Sequence, residues 1–463
     1  MTSIPQNYIN LITNVIKNKI NESLINLNID NNDSIMNYVT ILENLDTALN
    51  SSILIALKSY FEQIDLEYMN SNERKRKYDI KDYCERTILT IFGELTFKRY
   101  FYKSKMNDKS FCYLDRKLGL KKYQYFDPYI RSLVVSKCAT KSISETCREI
   151  NDMIGKRVTT EEKFKYLNRQ SARNIILESI LADDIDQELE TPEEIYILAD
   201  EKFIATQNNP NKKRNSTKEM IKSIVVYDGF NDVGKRRLLQ NKRVFSSRKE
   251  SVVNQSLDYI NNVYDVNKIK RVFVMGDGAK WIKAITNYYR FNPDTEVYYC
   301  LDKFHFKQSL HHLFMDKSIE KRCLKFILDN DKKSFEKITK FTKKNNIKRT
   351  DTIEKKYNYI LNNWKDIQRL YEYKMSCPME SQISHNLARL LSSIPKGYSL
   401  DMLDKLVEIR MKYINKKDIK SLYLNNFGKK EKILKIEHLN FDIFDRYKTF
   451  IPEYKGLIYN PTI

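Results

Sequence analysis

Ile195-Tyr-Ile-Leu-Ala-Asp200 is an apolar run that ends on a carboxylate, and it heads the stretch on which the fold turns. Its length and β-branched content predict the start of a strand, which we carry through to Thr206. A basic turn, Gln207 to Asn215, follows and holds Lys212, Lys213 and Arg214. Beyond it the pattern predicts a second strand over Met220 to Tyr227 and a third over Lys242 to Ser246. A helix from Glu250 to Val263 then leads to a fourth strand, Arg271 to Met275, which delivers Asp277. A helix over Ala279 to Tyr288 and a fifth strand over Glu296 to Cys300 complete the series. Three strands in succession, then strands alternating with helices, predict an α/β unit: a mixed sheet flanked by helices.

That order is the order of an RNase H-like domain. Ligand-binding groups in such sheets converge at the strand ends. Asp200 and Asp277 are 77 residues apart, yet neighbouring strands one and four bring them together. A third acid, Glu380, stands in Cys377-Pro-Met-Glu380-Ser-Gln-Ile-Ser384-His385, which reads as the start of a helix. Ile383, Ser384 and Leu387 share its side of that helix, so the face packs against the core, with Ser384 its polar exception. Two strand-borne aspartates and a helix-borne glutamate are what a two-metal phosphoryl-transfer site needs: Asp200, Asp277 and Glu380 as catalytic residues and ligands of two Mg²⁺ ions, with Mn²⁺ able to substitute.

Other groups near these acids have weaker claims. Glu201 follows Asp200 directly, and strand alternation sends it to the opposite face. Asp302 and His305 follow strand five within reach of the metals, where His305 can shuttle a proton or orient the attacking water. Cys300 and His305 serve equally to pack and seat the segment that follows, and that is the reading we favour. A zinc site from Cys300, His305, His311 and His312 is rejected, because the spacing matches no common structural set.

Composition points to the partner. Lys and Arg number 81 against 60 Asp and Glu, a net charge of +21 in 463 residues. Such an excess favours a polyanion through phosphate contacts and counterion release, although Asn-rich patches show that codon bias contributes. Seven scattered cysteines with no CxxC pair exclude a disulfide framework and, with no signal peptide evident, predict a reducing cytoplasm, nucleoid-associated when DNA is bound. No apolar run approaches the roughly 20 residues that span a bilayer.

Outside the core we expect the following divisions. Residues 1–77 form an N-terminal helical region ending in a basic linker, Asn70 to Lys77. Residues 78–126 form a β-hairpin meeting at Gly93, with Lys98, Arg99 and Lys103 interleaved with Tyr100 and Tyr102. Residues 127–190 hold helices over Pro128 to Ala139, Ile143 to Ile154 and Thr160 to Ser171. The last two flank Gly155-Lys-Arg157 as in a helix-turn-helix, and the third helix offers Lys163, Lys165, Asn168, Arg169 and Gln170 to DNA. Residues 191–303 are the first part of the core, and 304–374, free of Gly and Pro, are an all-helical insertion. Residues 375–400 return the glutamate helix, and 401–463 are a tail.

Several phrases match a known family. Ile197-Leu-Ala-Asp200, Gly276-Asp277-Gly-Ala-Lys-Trp-Ile282, Cys300-Leu-Asp302-Lys-Phe-His305 and Glu380-Ser-Gln-Ile-Ser384-His385 resemble the ISLre-type insertion-sequence transposases, a family of DDE transposases long catalogued as uncharacterised. Glu85 to Glu94, Tyr113 to Gly119 and Ser392 to Gly397 extend the resemblance over roughly Glu85 to Ser399. It departs at Ser381-Gln382, where Gly-His is expected, and at Tyr398, where Trp is expected. The resemblance implies Mg²⁺-dependent DNA cleavage and strand transfer by Asp200, Asp277 and Glu380. It also implies binding to the terminal inverted repeats and to target DNA, with a homo-oligomer joining two ends. A nuclease or resolvase without strand transfer, and a decayed DNA-binding copy, are the alternatives.

Overall fold

The computed structural model describes residues 6–25, 34–107, 109–155, 165–182, 187–207, 216–233, 236–375, 387, 391–392 and 397–427. These all lie in one compact unit that closes at Phe427. The N-terminal helices are α1 (Gln6–Ile25), α2 (Ser34–Asn70) and α3 (Asn72–Lys77). The stretch expected as a linker is thus helical in α3, capped by the Ser71 hydroxyl on the Arg74 amide.

A small antiparallel sheet follows: β1 (Tyr78–Thr90), β2 (Gly93–Ser104) and β3 (Ser110–Cys112). Glu62 and Asp65 of α2 accept from the Lys98 and Tyr100 amides of β2 at 2.9 and 2.6 Å. Two of the interleaved basic and aromatic side chains of β2 are committed internally. Arg99 is bound to Asp115, and buried Tyr102 donates to Asp65 at 3.1 Å.

Helices α4 (Tyr113–Lys117), α5 (Pro128–Cys138), α6 (Ile143–Gly155) and α7 (Arg169–Leu177) lead into the main sheet. Here the expected helix-turn-helix is corrected. Lys165 and Asn168 precede α7 rather than lying within a helix that ends at Ser171. The Asn168 side chain accepts from the Ser171 amide at 2.8 Å, and this cap sets the helix start. Arg169 and Gln170 open α7, whereas Lys163 lies outside the described residues.

The main sheet has five strands: β4 (Glu194–Gln207), β5 (Ser216–Tyr227), β8 (Arg243–Ser247), β9 (Arg271–Gly276) and β10 (Glu296–Leu301). A two-stranded ribbon, β6 (Gly229–Val233) with β7 (Arg236–Gln240), intervenes after β5. The strand order is β10-β9-β4-β5-β8. β4 pairs in parallel with β9 and antiparallel with β5, and β10 runs parallel to β9. The fold is therefore mixed α/β, with all five expected core strands in one sheet. The expected DNA-contacting residues Lys212, Lys213 and Arg214, in the turn between β4 and β5, lie outside the described residues.

Alternation divides the strand side chains between two cores. Ile197, Ala199, Val272, Val274 and Tyr299 pack under α8 (Val252–Val263) and α9 (Lys280–Ile285). Leu198, Phe273, Met275 and Cys300 pack on the other face with residues of α5, α6 and α7. After β10 come α10 (Lys303–Phe314), α11 (Lys317–Leu328), α12 (Lys332–Asn345), α13 (Thr350–Asn362) and α14 (Trp364–Glu372). This helical insertion has its own core, including Phe306, Phe335, Ile360 and Trp364. Finally α15 (Leu400–Ile414) and α16 (Ile419–Asn426) contribute Leu403, Ile409 and Ile419 to the second sheet face, so the beginning of the expected tail belongs to the core. Among the described residues no helix is long and apolar enough to cross a membrane.

Candidate active site

The sheet register brings the two aspartates together. β4 and β9 pair from Glu194↔Arg271 to Leu198↔Met275. The pairing ends there; Asp200 lies two residues further along β4 and Asp277 follows the last residue of β9, near enough for its charge to raise the Asp200 carboxyl. On the other side β9 and β10 pair to Gly276↔Leu301, and the Asp302 amide donates to the Gly276 carbonyl at 2.8 Å. Asp200, inside β4, thus forms a row with Asp277 and Asp302, which follow the carboxyl ends of the parallel strands β9 and β10. Alternation from Leu198, Met275 and Cys300 assigns the row to the sheet face where those three side chains pack.

Each acid has a different environment. Asp200 is half-buried, and its Oδ1 accepts the Glu201 amide at 2.7 Å. Burial first, and the Asp277 charge second, push its carboxyl up to about 6, while His305 opposes the shift. Asp277 is also half-buried and accepts the Ala279 amide at 2.9 Å. Asp302 is buried and spends both oxygens: one caps α10 on the Phe304 amide at 3.0 Å, and the other binds His305 Nδ1 at 2.6 Å. That bond, then the fields of Asp302, Asp277 and Asp200, raises the His305 pKa. Asp302 and His305 are therefore a positioned dyad beside the aspartate pair. Cys300 is fully buried, and burial lifts its thiol to about 12, which makes it a packing residue. Glu201 leaves the row and accepts the Trp281 indole N–H at 2.6 Å.

The turn that carries Asp277 is clamped by the helical insertion. Tyr359 of α13 donates to the Asp277 carbonyl at 2.6 Å, and Lys283 of α9 pairs with Asp366 of α14 at 2.8 Å. Asn363 packs at Gly278, and the Tyr299 hydroxyl donates to the Gly276 carbonyl at 3.0 Å. Sequence reasoning missed Tyr359 and Asn363, since bonds across 82 residues to a backbone carbonyl leave no local spacing to read.

Glu380 and Ser384 lie outside the described residues. Their segment is held at both ends. Met375 is buried on the aspartate-bearing face, and so are Leu387 and Leu391. Tyr398 then bridges to Thr206, its carbonyl accepting the Gln207 amide at 2.9 Å. Among the described residues no three His, Cys, Asp or Glu side chains are grouped to hold a metal ion. The aspartate pair offers hard oxygen donors of like charge, half-buried side by side. This donor chemistry fits Mg²⁺ or Mn²⁺ and does not fit a thiolate-seeking metal.

Residues 32–426 match the model of an uncharacterised protein family, UPF0236. The chain is 24% identical over 391 residues to the UPF0236 protein TTE2489 of Caldanaerobacter subterraneus subsp. tengcongensis, covering 82% of this chain and 78% of that one. A second protein from that organism, TTE0402, is also 24% identical, with 82% of this chain and 73% of the relative covered. A third, 23% identical with 82% and 77% covered, carries a name that joins many locus labels, TTE0033 to TTE2212. The chain belongs to the UPF0236 family.

Proposed function

We propose that this UPF0236 protein is a DDE transposase with an RNase H-like core, cleaving DNA and transferring the strands of an insertion sequence. The observation that carries the reading is the β4–β9 register, which brings Asp277, just past the carboxyl end of β9, to the level of Asp200 within β4. The strand order β10-β9-β4-β5-β8, with β5 alone antiparallel to its neighbours, is the order expected of such a core. Glu380 is the third carboxylate that the family resemblance implies. The many loci joined in one relative's name suit a gene that multiplies within a genome.

Asp200, Asp277 and Glu380 would hold the Mg²⁺ ions, which when bound supply Lewis-acid activation of the attacking oxygen and charge stabilisation at the phosphate. The protein's own share is orientation. Register and the Tyr359 clamp fix the two aspartates, so they need no rearrangement when substrate arrives. Asp302 fixes the ring of His305 and leaves Nε2 outside that bond, available to take a proton from the attacking water or, once protonated, to give one to the departing 3′ oxygen. The basic surface of the chain holds the DNA backbone.

The test is to incubate the protein, with Mg²⁺ and a plasmid target, with duplexes carrying the DNA that flanks its gene. Products joined to the plasmid are expected. Nicked ends with no joined product would replace this reading by a nuclease or resolvase, and intact DNA under all metals would overturn it.

A further inference from the structure

We propose that the exposed face of α7, together with the turn Lys121 to Gln124, is the surface that reads the sequence of duplex DNA. This rests on the transposase reading for the identity of the DNA. α7 buries Ala172, Ile175 and Ile176 and exposes Arg169, Gln170, Arg173 and Asn174. Guanidinium and carboxamide groups are the side chains that pair bidentately with guanine and adenine edges. An α-helix with its side chains is about 10–12 Å across, which a major groove about 12 Å wide admits.

The turn is an independent observation. Tyr123 has φ +61° and is 87% exposed, an aromatic ring held out to solvent on left-handed backbone. Such a conformation is strained in a residue other than glycine and persists only where its surroundings impose it. Here a buried arginine imposes it. Arg86 donates to the Lys121 and Gln124 carbonyls at 2.7 and 3.0 Å while its other nitrogen binds Asp115 at 2.8 Å. Lys122 lies 4.7 Å from the Tyr123 ring centre, so a cation and an aromatic face are presented together.

Two contacts lay this turn along α7. Lys121 pairs with Glu178 at the helix end at 2.9 Å, and the Lys165 amide, ahead of the helix, donates to the Tyr125 hydroxyl at 3.1 Å. With α7 in the groove, Lys122 and Tyr123 meet the adjoining backbone and sugars, where charge and stacking contribute regardless of sequence.

The experiment measures anisotropy of labelled duplexes bound by the full chain carrying Asp277→Asn, which prevents cleavage. One duplex has the gene-flanking sequence and one has the same bases shuffled. Arg173→Ala is expected to reduce the preference for the flanking duplex about tenfold. Tyr123→Gly is expected to weaken both duplexes severalfold while thermal stability holds or rises, because glycine removes the backbone strain. Unchanged preference in Arg173→Ala, or unchanged affinity in Tyr123→Gly, overturns the inference. So does a change of oligomeric state in either variant, which would make the face a subunit contact. If the unsubstituted chain cuts and joins gene-flanking DNA while Arg173→Ala keeps its preference, the surface assignment fails and the transposase reading stands.

Discussion

Gly276 and Gly278 flank Asp277, and neither position accepts a side chain. A Cβ on Gly276 would meet Ile282 at 2.7 Å and the Ala199 carbonyl at 2.9 Å, which is the cost of seating β9 against β4. Gly278 has φ +95° and lies against Asn363. Gly276→Ala should therefore destabilise the chain by about 1–3 kcal/mol and displace Asp277, read as a lower denaturation midpoint together with lost cleavage. Tyr359→Phe removes one hydrogen bond from the Asp277 carbonyl. It should slow cleavage by about tenfold at saturating DNA and leave DNA affinity unchanged. An unaltered rate would mean that the clamp does not position the site. The acidic row was legible from sequence because strand ends and carboxylates are local signals. The division of labour within it was not: both Asp302 oxygens are taken by its own helix and His305, and only the fold reveals that.

The same contrast holds among elements. The five core strands fall where alternation and β-branched runs put them, and the Gly-free, Pro-free insertion is helical as its periodicity requires. The ribbon of β6 and β7 escaped notice because Gly229, Asn231 and Asp232 are turn-forming residues and Arg236 to Gln240 has no β-branched residue. The helix expected over Thr160 to Ser171 is drawn too early: Asn168 is a competent cap, and packing of Ala172, Ile175 and Ile176 starts α7 there, while Thr159 and Thr160 lie outside the described residues. Asp127 caps α5, its carboxylate accepting the Ile130 amide at 2.6 Å, yet burial outweighs that bond and lifts its pKa from 3.8 to about 7. As pH rises through that window the folded chain keeps a proton that the unfolded chain has released, so stability falls from about pH 4 to 7 and then levels. Asp127→Asn keeps a competent cap without the charge. Its melting temperature should match wild type near pH 4 and exceed it at pH 8, and a constant difference across that range would refute the account of α5.

At the scale of the whole molecule, a net charge of +21 and a helical insertion bonded to the turn that carries Asp277 are what the proposed action on a polyanion calls for. Its affinity for any duplex should fall by about a thousandfold between 50 and 200 mM salt. A flat salt response would remove phosphate contacts as the basis of binding. The family match spans the sheet, the insertion and α15 and α16, so these parts form one inherited unit rather than a core with a tail. The most direct test of the central claim compares wild type with Asp277→Asn and Asp302→Asn in single-turnover cleavage of gene-flanking DNA with Mg²⁺. If the aligned Asp200–Asp277 pair is the reaction centre, Asp277→Asn cleaves at least about a thousandfold more slowly with DNA affinity intact, whereas Asp302→Asn, which disturbs only the orientation of His305, keeps measurable cleavage. Cleavage by Asp277→Asn within about tenfold of wild type would contradict the account.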